Sequence, residues 1–432
     1  MWNKLILTAG TESQNKVFKK QLSKIPTNDY AEKTEVVTDK SRGGSGGATL
    51  NVIFDIMENT TKEELERTKV LLVHTGGLSQ RMPHLSAYGK VFATLPNHKT
   101  ILETKLEIYK NHLLDNLPQT GGIMVTASDV IENMESFKGM NSNAAMLFFA
   151  HASKIEIGTQ HGVFVMDKKT NKLKRVLQKP TVDEMRKEGA IREDGTVLTD
   201  SCYFMTWSAL QDLYIGCPRK PLTEELCCYA DFMRPLGSDP SNDYVWETTC
   251  QNLATYRKAL YVLLRRSTFE VHALGKNTFF HFGTYGEFLE SILPDSDFRN
   301  AFPREFDSNI IFCDGLKSTP TSSFVEFSSG ICEVGKNSVI SGVDFGVSKI
   351  NLPDNIIMFT LALDKEKYVS IVIKIEEDMK KKYDRVKWNG HDTRIDEKSI
   401  WEAPIFRICE TRVSSCQTTL EEWENGIKET TL

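Results

Sequence analysis

Two glycines that follow a short apolar run are placed where a nucleotide phosphate would bind. The run 70–73 predicts a buried strand that ends just before Gly76 and Gly77. Glycine has no Cβ, so its backbone amide can approach an anion closely, and the charges of Arg81 and Lys90 would neutralise a triphosphate. The pattern is typical of nucleotide chemistry, although a glycine pair after a strand is also found as an ordinary tight turn.

A second glycine-rich stretch precedes a predicted helix. Gly44, Gly46 and Gly47 are followed by apolar residues at helical spacing from Val52 onward. Because the N-terminus of a helix favours bound anions, the stretch is a second candidate phosphate loop. The alternative is a flexible linker, which this composition also fits.

Carboxylates follow further predicted strands. Asp129 comes directly after the strand 123–126, which is joined to the strand 70–73 by the amphipathic helix 101–117. This strand, helix, strand order predicts a parallel sheet, and ligands of such sheets bind at the carboxyl ends of the strands. A carboxylate beside a triphosphate is a natural Mg²⁺ ligand, and the alternative for Asp129 is a helix N-cap.

Three other side chains are weaker candidates. Lys179 lies between a predicted strand and Pro180, a position that favours phosphate binding more than an average surface lysine does. Asp200 precedes another strand and Asp231 lies on a predicted helix. For either aspartate, a cap or a solvated side chain is the alternative.

The pattern changes after about residue 300. Apolar residues recur every two or three positions between 340 and 352, interrupted by Gly342 and Gly346, and helical periodicity disappears. Short strands with glycine turns predict a β-helix-like domain. The predicted organisation is an α/β domain over 1–300 and a β-helix-like domain over 301–432, with a polar tail beyond Ser414 that frays.

Composition limits the classes of function. The chain has 432 residues, 40% hydrophobic and 26% charged, with a formal charge of -5 and a pI near 6.1. Such a length favours two domains, and the acidic balance argues against a nucleic-acid surface. No apolar run suits a membrane span and no leader peptide is visible, so a cytoplasmic protein is expected. Nine cysteines without a C-x-x-C pair predict neither a disulfide framework nor a zinc site.

Taken together, the motifs resemble those of the fucose-1-phosphate guanylyltransferase family, also called GDP-L-fucose pyrophosphorylases. The matching stretches occur in one order along nearly the whole chain: 44–50, 74–81, 89–92, 161–165, 178–180, 199–201 and 281–284. The resemblance implies a Rossmann-like nucleotidyltransferase domain with a mostly parallel sheet, followed by a β-helical domain. The fucokinase to which the plant members are fused is not expected here.

The implied reaction joins GTP to β-L-fucose 1-phosphate, giving GDP-L-fucose and pyrophosphate by Mg²⁺-assisted in-line displacement at the α-phosphorus. The resemblance implies roles for the residues that match the motifs. Arg81 and Lys90 would hold the triphosphate and pyrophosphate, and Lys179 would hold the sugar phosphate. The nucleotide-binding set is Gly44, Gly46, Gly47, Gly76, Gly77, Ser79 and Gly162; the substrate-binding set is Lys179, Asp200 and His161; the metal set is Asp129 and Asp231.

One departure and two alternatives accompany this interpretation. His281 stands where the wider pyrophosphorylases have a metal-binding aspartate, which leaves the second Mg²⁺ ligand open between Asp231 and Asp200. The first alternative is the same chemistry on another sugar 1-phosphate or nucleotide. The second is a non-catalytic, sugar-nucleotide-binding regulatory subunit. An oligomer formed through the β-rich domain is compatible with either.

Overall fold

The computed structural model describes residues 1–39, 43–86, 88–302, 309–316 and 319–429. The chain divides into two compact units. The first comprises Met1–Gly77 and Leu102–Phe280, and the second comprises Leu78–Ile101 and His281–Leu432. The larger segment of the second unit therefore begins at His281 rather than at 301. The unit also takes up 78–101, a segment that the sequence assigns to the first domain.

The first unit is built on a mixed, mostly parallel sheet, as the sequence predicts. The strands of this part of the chain are β1 (Trp2–Ala9), β2 (Ala31–Thr38), β3 (Lys69–His74), β4 (Gly122–Ala127), β5 (Val130–Glu132), β6 (Met146–Ser153), β7 (Gly162–Met166), β8 (Leu173–Gln178), β9 (Val197–Thr206), β10 (Phe269–Leu274) and β11 (Phe279–His281). The strand order of the sheet is β10-β6-β9-β4-β3-β1-β2, with β7 paired to β9 and β8 to β7.

Strands β3, β4 and β6 are buried almost throughout because helices cover both faces of the sheet. The helices of this part of the chain are α1 (Glu12–Leu22), α2 (Gly44–Asn59), α3 (Lys62–Leu65), α4 (Ile101–Ile108), α5 (Ile155–Gly158), α6 (Val182–Glu188), α7 (Trp207–Gly216), α8 (Ala230–Met233) and α9 (Gln251–Leu264). Helices α2, α7 and α9 share one large apolar core with the central strands. After α4 the chain continues as a π-helical turn, Tyr109–Leu113, so the predicted helix 101–117 is not regular to its end.

The second unit contains a stack of short parallel strands. Ile310 pairs with Val325 and Val325 with Ile340, and side-chain to backbone bonds between successive layers also join residues 15 apart. The strands are β12 (Ile310–Ile311), β13 (Phe324–Glu326), β14 (Cys332–Glu333), β15 (Val339–Ser341), β16 (Ile350–Asn351), β17 (Ile356–Asp364), β18 (Lys367–Lys374), β19 (Lys382–Trp388) and β20 (His391–Ser399). Strands β17 and β18 pair antiparallel, as do β19 and β20.

The α-helices in the described residues of the second unit are α10 (Tyr285–Ile292), α11 (Asp297–Ala301) and α12 (Arg412–Glu429). The last of these corrects the prediction of a frayed tail beyond Ser414. Cys416 and Leu420 on α12 are buried in the apolar core of the stacked strands. Packing of a narrow apolar face therefore holds a helix whose composition is otherwise polar.

The segment 78–101 is fixed within the second unit by a buried polar cluster. His84 stacks on Tyr285 at a centroid distance of 5.2 Å, and its Nδ1 lies 2.6 Å from the tyrosine hydroxyl. Its Nε2 lies 3.8 Å from Oε1 of Glu326 on β13. Burial lowers the pKa of His84 to about 3 and raises the pKa of Glu326 to about 7, so the histidine is neutral here.

Across the described ranges, no helix combines the length and the apolar composition that crossing a bilayer requires.

Candidate functional site

Several sequence-predicted residues of the first unit lie at one edge of its sheet. Strands β1, β3 and β4 run parallel, and β9 runs antiparallel to β4 and β6. The carboxyl ends of β1, β3, β4 and β6 and the amino end of β9 therefore meet at the same edge. The Gly76–Gly77 pair and Asp129 follow β3 and β4, and Asp200 lies within β9 near its amino end rather than before the strand as predicted. Open α/β sheets bind ligands at such an edge.

The glycine pair is held against the end of β1. The N–H groups of Thr75 and Gly76 donate to Oγ1 of Thr8 at 3.1 and 3.4 Å, and Gln14 Nε2 donates to the carbonyl of Gly77 at 2.7 Å. A Cβ on Gly76 would lie 2.9 Å from the nitrogen of Gly10, and Gly77 has a φ of +131°. Both positions thus require glycine, and both are exposed to an incoming ligand.

Asp129 is half-buried in the turn between β4 and β5. A fully buried polar cluster, which was not predicted from the sequence, includes residues on both sides of this turn. Lys105 Nζ on α4 lies 2.7 Å from Oε2 of Glu132 and donates to Oγ1 of Thr126 at 2.8 Å, while the Tyr109 hydroxyl donates to Glu132 at 2.9 Å. The sequence does contain a signal for this cluster. Lys105 lies within the apolar stripe of α4, and a lysine in such a position needs a buried partner.

Asp200, His161 and Lys179 come together, as the resemblance implies for the substrate-binding set. Asp200 Oδ1 accepts the N–H of Gly162 at 2.9 Å and lies 3.9 Å from Nδ1 of His161. The N–H of Lys179 donates to the carbonyl of His161 at 3.0 Å, and the lysine side chain is exposed. Burial raises the pKa of Asp200 to about 7, against the bond from Gly162 and the charge of Lys179.

The geometry changes the role of Gly162. Its amide is occupied by Asp200, and a Cβ would lie 2.5 Å from Oδ2 of that carboxylate. This glycine therefore allows Asp200 to approach the backbone. The prediction that the amide of Gly162 binds a nucleotide is therefore wrong.

A buried histidine that the sequence did not single out supports the start of β9. His151 Nε2 lies 2.6 Å from Oγ of Ser201, and its Nδ1 lies 2.9 Å from Oγ1 of Thr278. Burial lowers the pKa of His151 to about 3, so the ring is neutral and bonds to both hydroxyls. The network fixes the residue next to Asp200.

The glycines at the start of α2 serve packing. The N–H of Gly46 donates to the carbonyl of Leu226 at 2.7 Å, and that of Gly47 donates to the carbonyl of Gly43 at 3.1 Å. A Cβ on Gly46 would lie 2.8 Å from the Leu226 carbonyl oxygen, and Gly44 has a φ of +64°. The phosphate-loop prediction for Gly46 and Gly47 is therefore wrong, because protein carbonyls already occupy their amides, and Gly44 is explained by its backbone conformation.

The same helix is tied to the strand that carries the glycine pair. Thr49 Oγ1 lies 2.8 Å from Nε2 of His74, the last residue of β3, and donates to the carbonyl of Ser45 at 2.9 Å. Ser45 Oγ in turn accepts the N–H of Cys228 at 3.1 Å. Burial lowers the pKa of His74 to about 4, so this ring is neutral.

Asp231 has a structural role, which corrects its prediction as a metal ligand. Its carboxylate is completely buried and accepts the N–H of Cys227 at 2.8 Å. Arg257 Nε lies 3.0 Å from its Oδ1, and Arg234 lies 3.5 Å away. Two guanidinium groups thus neutralise the carboxylate, and a cation there would be repelled.

Ser79, Arg81 and Lys90 lie in the second unit. Ser79 has a φ of +46° and Arg81 is exposed. The ammonium of the half-buried Lys90 donates to the carbonyl of Gly283 at 3.0 Å. His281 Nδ1 lies 3.1 Å from Oε1 of Glu287.

Among the described residues, no group of three or more His, Cys, Asp or Glu side chains is arranged to hold a metal ion. Mg²⁺ does not need such a group, because one or two carboxylates together with substrate phosphates usually suffice. The half-buried carboxylate of Asp129, at the edge that carries the glycine pair, fits this requirement. The carboxylate of Asp231 does not.

A model of the fucose pyrophosphorylase domain matches residues 62–411. A Homo sapiens protein named fucose-1-phosphate guanylyltransferase is 25% identical over 97% of this chain and 84% of its own length. Its Mus musculus namesake is 29% identical over 68% of this chain and 57% of its own length. An Arabidopsis thaliana protein named bifunctional fucokinase/GDP-fucose pyrophosphorylase is 27% identical over 52% of this chain and 25% of its own length.

Two solved structures show only a weak likeness. A Thermus thermophilus protein described as mannose-1-phosphate geranyltransferase has a TM-score of 0.32 and 10% identity, covering 86% of this chain and 95% of its own. A UDP-glucose pyrophosphorylase complexed with UDP-glucose has a TM-score of 0.27 and 11% identity, covering 67% and 96% respectively. Scores this low support no inference.

Proposed function

The chain belongs to the fucose pyrophosphorylase family, and from this premise we propose that it condenses GTP with β-L-fucose 1-phosphate to GDP-L-fucose and pyrophosphate. The observation that carries the proposal is the family match over 62–411, together with a human guanylyltransferase relative that spans 97% of the chain. The edge of the first unit's sheet adds to it, because exposed glycines and acidic side chains meet there.

In the proposed reaction, a phosphate oxygen of the sugar phosphate attacks the α-phosphorus of GTP, and the bond to the β-phosphate oxygen breaks. The sugar phosphate is already ionised at neutral pH, so no catalytic base is required. Positioning and charge neutralisation supply the rate enhancement. Gly77 would donate its backbone amide to a nucleotide phosphate, and Gly76, whose amide bonds to Thr8, would let the phosphate approach the backbone closely. Arg81 and Lys90 keep their predicted roles with the triphosphate and the departing pyrophosphate. Ser79, which lies between Gly77 and Arg81 in the chain, stays a predicted nucleotide-binding residue.

The cluster of Asp200, His161 and Lys179 would bind the sugar phosphate. Lys179 is exposed beside the buried carboxylate, which suits a cation that meets a phosphate. Oδ1 of Asp200 accepts the N–H of Gly162, and the other carboxylate oxygen would accept a sugar hydroxyl. Selection between sugars would then depend on that one hydroxyl bond.

For Mg²⁺, we propose Asp129 as the protein ligand. The ion would neutralise negative charge on the phosphate oxygens when bound. Asp129 suits this role because the buried cluster around Lys105 and Glu132 holds both ends of its turn. We do not propose a second ligand from Asp231.

For the second unit, we propose a β-helix-like coil. Its support is the parallel pairing of β12, β13 and β15 at 15-residue steps, with β14 and β16 paired beside them. Self-association through this unit and a cytoplasmic location stay predictions.

The test mixes the purified protein with GTP, Mg²⁺ and fucose 1-phosphate and measures pyrophosphate. We expect release that stops without Mg²⁺. ATP, UTP and other hexose 1-phosphates in parallel reactions would reveal the same chemistry on other substrates. Binding of GDP-fucose without any release of pyrophosphate would refute the enzymatic proposal in favour of a regulatory subunit.

Variants extend this test to the assigned residues. We expect Arg81→Ala to lower the rate of pyrophosphate release at least about a hundredfold, because its charge would stabilise the transition state. Arg266→Ala, which removes another exposed arginine, is the matched control and should keep the wild-type rate. Equal rates for the two variants would remove Arg81 from the site.

A further inference from the structure

The second unit holds the ammonium group of Lys90 with a backbone carbonyl. Lys90 begins a short 3-10 helix after Gly89, whose φ is +83°. Its Nζ donates to the carbonyl oxygen of Gly283 at 3.0 Å, and the side chain is half-buried. An ammonium group has three donors, and the bond from one of them to a fixed carbonyl limits its rotation.

Gly283 is covered by the ring of His281. Gly283 lies between β11 and α10, and a Cβ at this position would collide with the imidazole, at 2.6 Å from Nε2. The ring therefore packs against the peptide whose carbonyl receives Lys90. Any displacement of the ring opens space beside that peptide, and larger residues at 283 would displace the ring.

Glu287 fixes the ring in turn. Its Oε1 lies 3.1 Å from Nδ1 of His281, and its Oε2 accepts the hydroxyl of Thr284 at 3.0 Å. Thr284 also caps α10, because its Oγ1 accepts the N–H of Glu287 at 3.2 Å. Burial opposes the charge of Glu287, yet the bonds from His281 and Thr284 lower its pKa below the usual value, so it is ionised.

We infer that His281 is a positioning residue for Lys90: together with Glu287 it holds Gly283 so that its carbonyl aims the lysine ammonium. The inference rests on the proposed function, in which Lys90 holds the triphosphate and pyrophosphate. It assigns to His281 a role that needs no metal. His281 acts on the phosphates only through Lys90.

The experiment is a double-mutant cycle on the full chain with Lys90→Ala, His281→Ala and the combined variant. We expect His281→Ala to lower kcat for pyrophosphate release about tenfold to a hundredfold, as a small misplacement does, with the KM for fucose 1-phosphate unchanged. In the Lys90→Ala background, the same substitution should cost nothing further. Losses that multiply would show that His281 acts independently of Lys90 and would overturn the inference.

Further variants separate positioning from general stability. His281→Gln, which can still donate to Glu287, should recover part of the rate, whereas Glu287→Ala, which removes the acceptor, should behave like His281→Ala. Glu290→Ala, an exposed change on the same helix, is the control and should keep the wild-type rate. If His281→Ala fails to fold, His281→Gln and Glu287→Ala take its place in the cycle with Lys90→Ala. Wild-type rates in both of them would overturn the inference.

The inference can fail separately from the proposed function. If the wild-type protein releases no pyrophosphate, the proposed function fails. The same double-mutant cycle is then measured by calorimetry, as the affinity of each variant for inorganic pyrophosphate. Weaker binding in both single variants without a further loss in the double variant supports the inference. Unchanged binding in His281→Ala overturns it.

Discussion

The buried pair Lys105–Glu132 allows a quantitative test of how the Asp129 turn is held. Both side chains are completely buried, and their charged atoms lie 2.7 Å apart. Breaking a buried pair by removing one partner typically costs about 3–5 kcal/mol, because the other charge stays in a medium of low polarity. We therefore expect Lys105→Met and Glu132→Leu each to lower the free energy of unfolding of the first unit by roughly that amount.

The double variant should lose much less than the sum. With both charges gone, the hydroxyls of Tyr109 and Thr126, 3.2 Å apart, can still bond to each other. Replacing a buried ion pair with apolar residues is often neutral, so Lys105→Met combined with Glu132→Leu should cost no more than about 2 kcal/mol. The predicted coupling between the two sites is several kcal/mol, far above the few tenths seen for independent sites.

The assay is urea unfolding followed by circular dichroism, with linear extrapolation of the transition of the first unit. An exposed substitution in the same unit, Lys187→Met on α6, is the control and should change the free energy by less than about 0.5 kcal/mol. Single variants that cost under about 1 kcal/mol, or losses that simply add, would refute the reasoning, because a desolvated pair cannot behave so.

Two further predictions concern Asp200 and the start of α2. The pKa of Asp200 is raised to about 7, so folding favours its protonated form and stability falls as pH rises from 4 to 7. Relative to wild type, the free energy of unfolding of Asp200→Asn should therefore rise by up to roughly 4 kcal/mol between pH 4 and pH 8, as measured by urea unfolding. A difference between the two proteins that does not change with pH would contradict this. Gly46→Ala should cost about 1–3 kcal/mol because its Cβ meets the Leu226 carbonyl, whereas Gly286→Ala, with open space on α10, should not destabilise in thermal melts.

The parallel sheet, and the edge of it at which the candidate residues meet, were predictable from the sequence. Apolar runs that end at glycine or aspartate located β3, β4 and the residues after them, because parallel strands buried on both faces leave continuous apolar segments. The family resemblance drawn from the motifs is confirmed by the match over 62–411. The structure brings His161, Lys179 and Asp200 together, and their role in substrate binding stays a prediction.

Buried charges were not predictable in the same way. Lys105 and Asp231 have the residue types of solvated side chains, and only tertiary structure supplies the partners that allow their burial. At the start of α2, the sequence instead predicted ligand binding for residues that serve packing. Glycines there looked like a phosphate loop, but close approach to the Leu226 backbone explains them equally well and uses their amides.

The route of the chain between its two units bears on synthesis and on evolution. The segment Leu78–Ile101 belongs to the second unit but precedes most of the first. During translation, His84 must wait for Tyr285 and Glu326 to emerge from the ribosome before its packing is complete. A premature stop near residue 280 would leave this stretch without its partners. For the same reason, one genetic crossover cannot exchange either unit intact, so the two are expected to be inherited together.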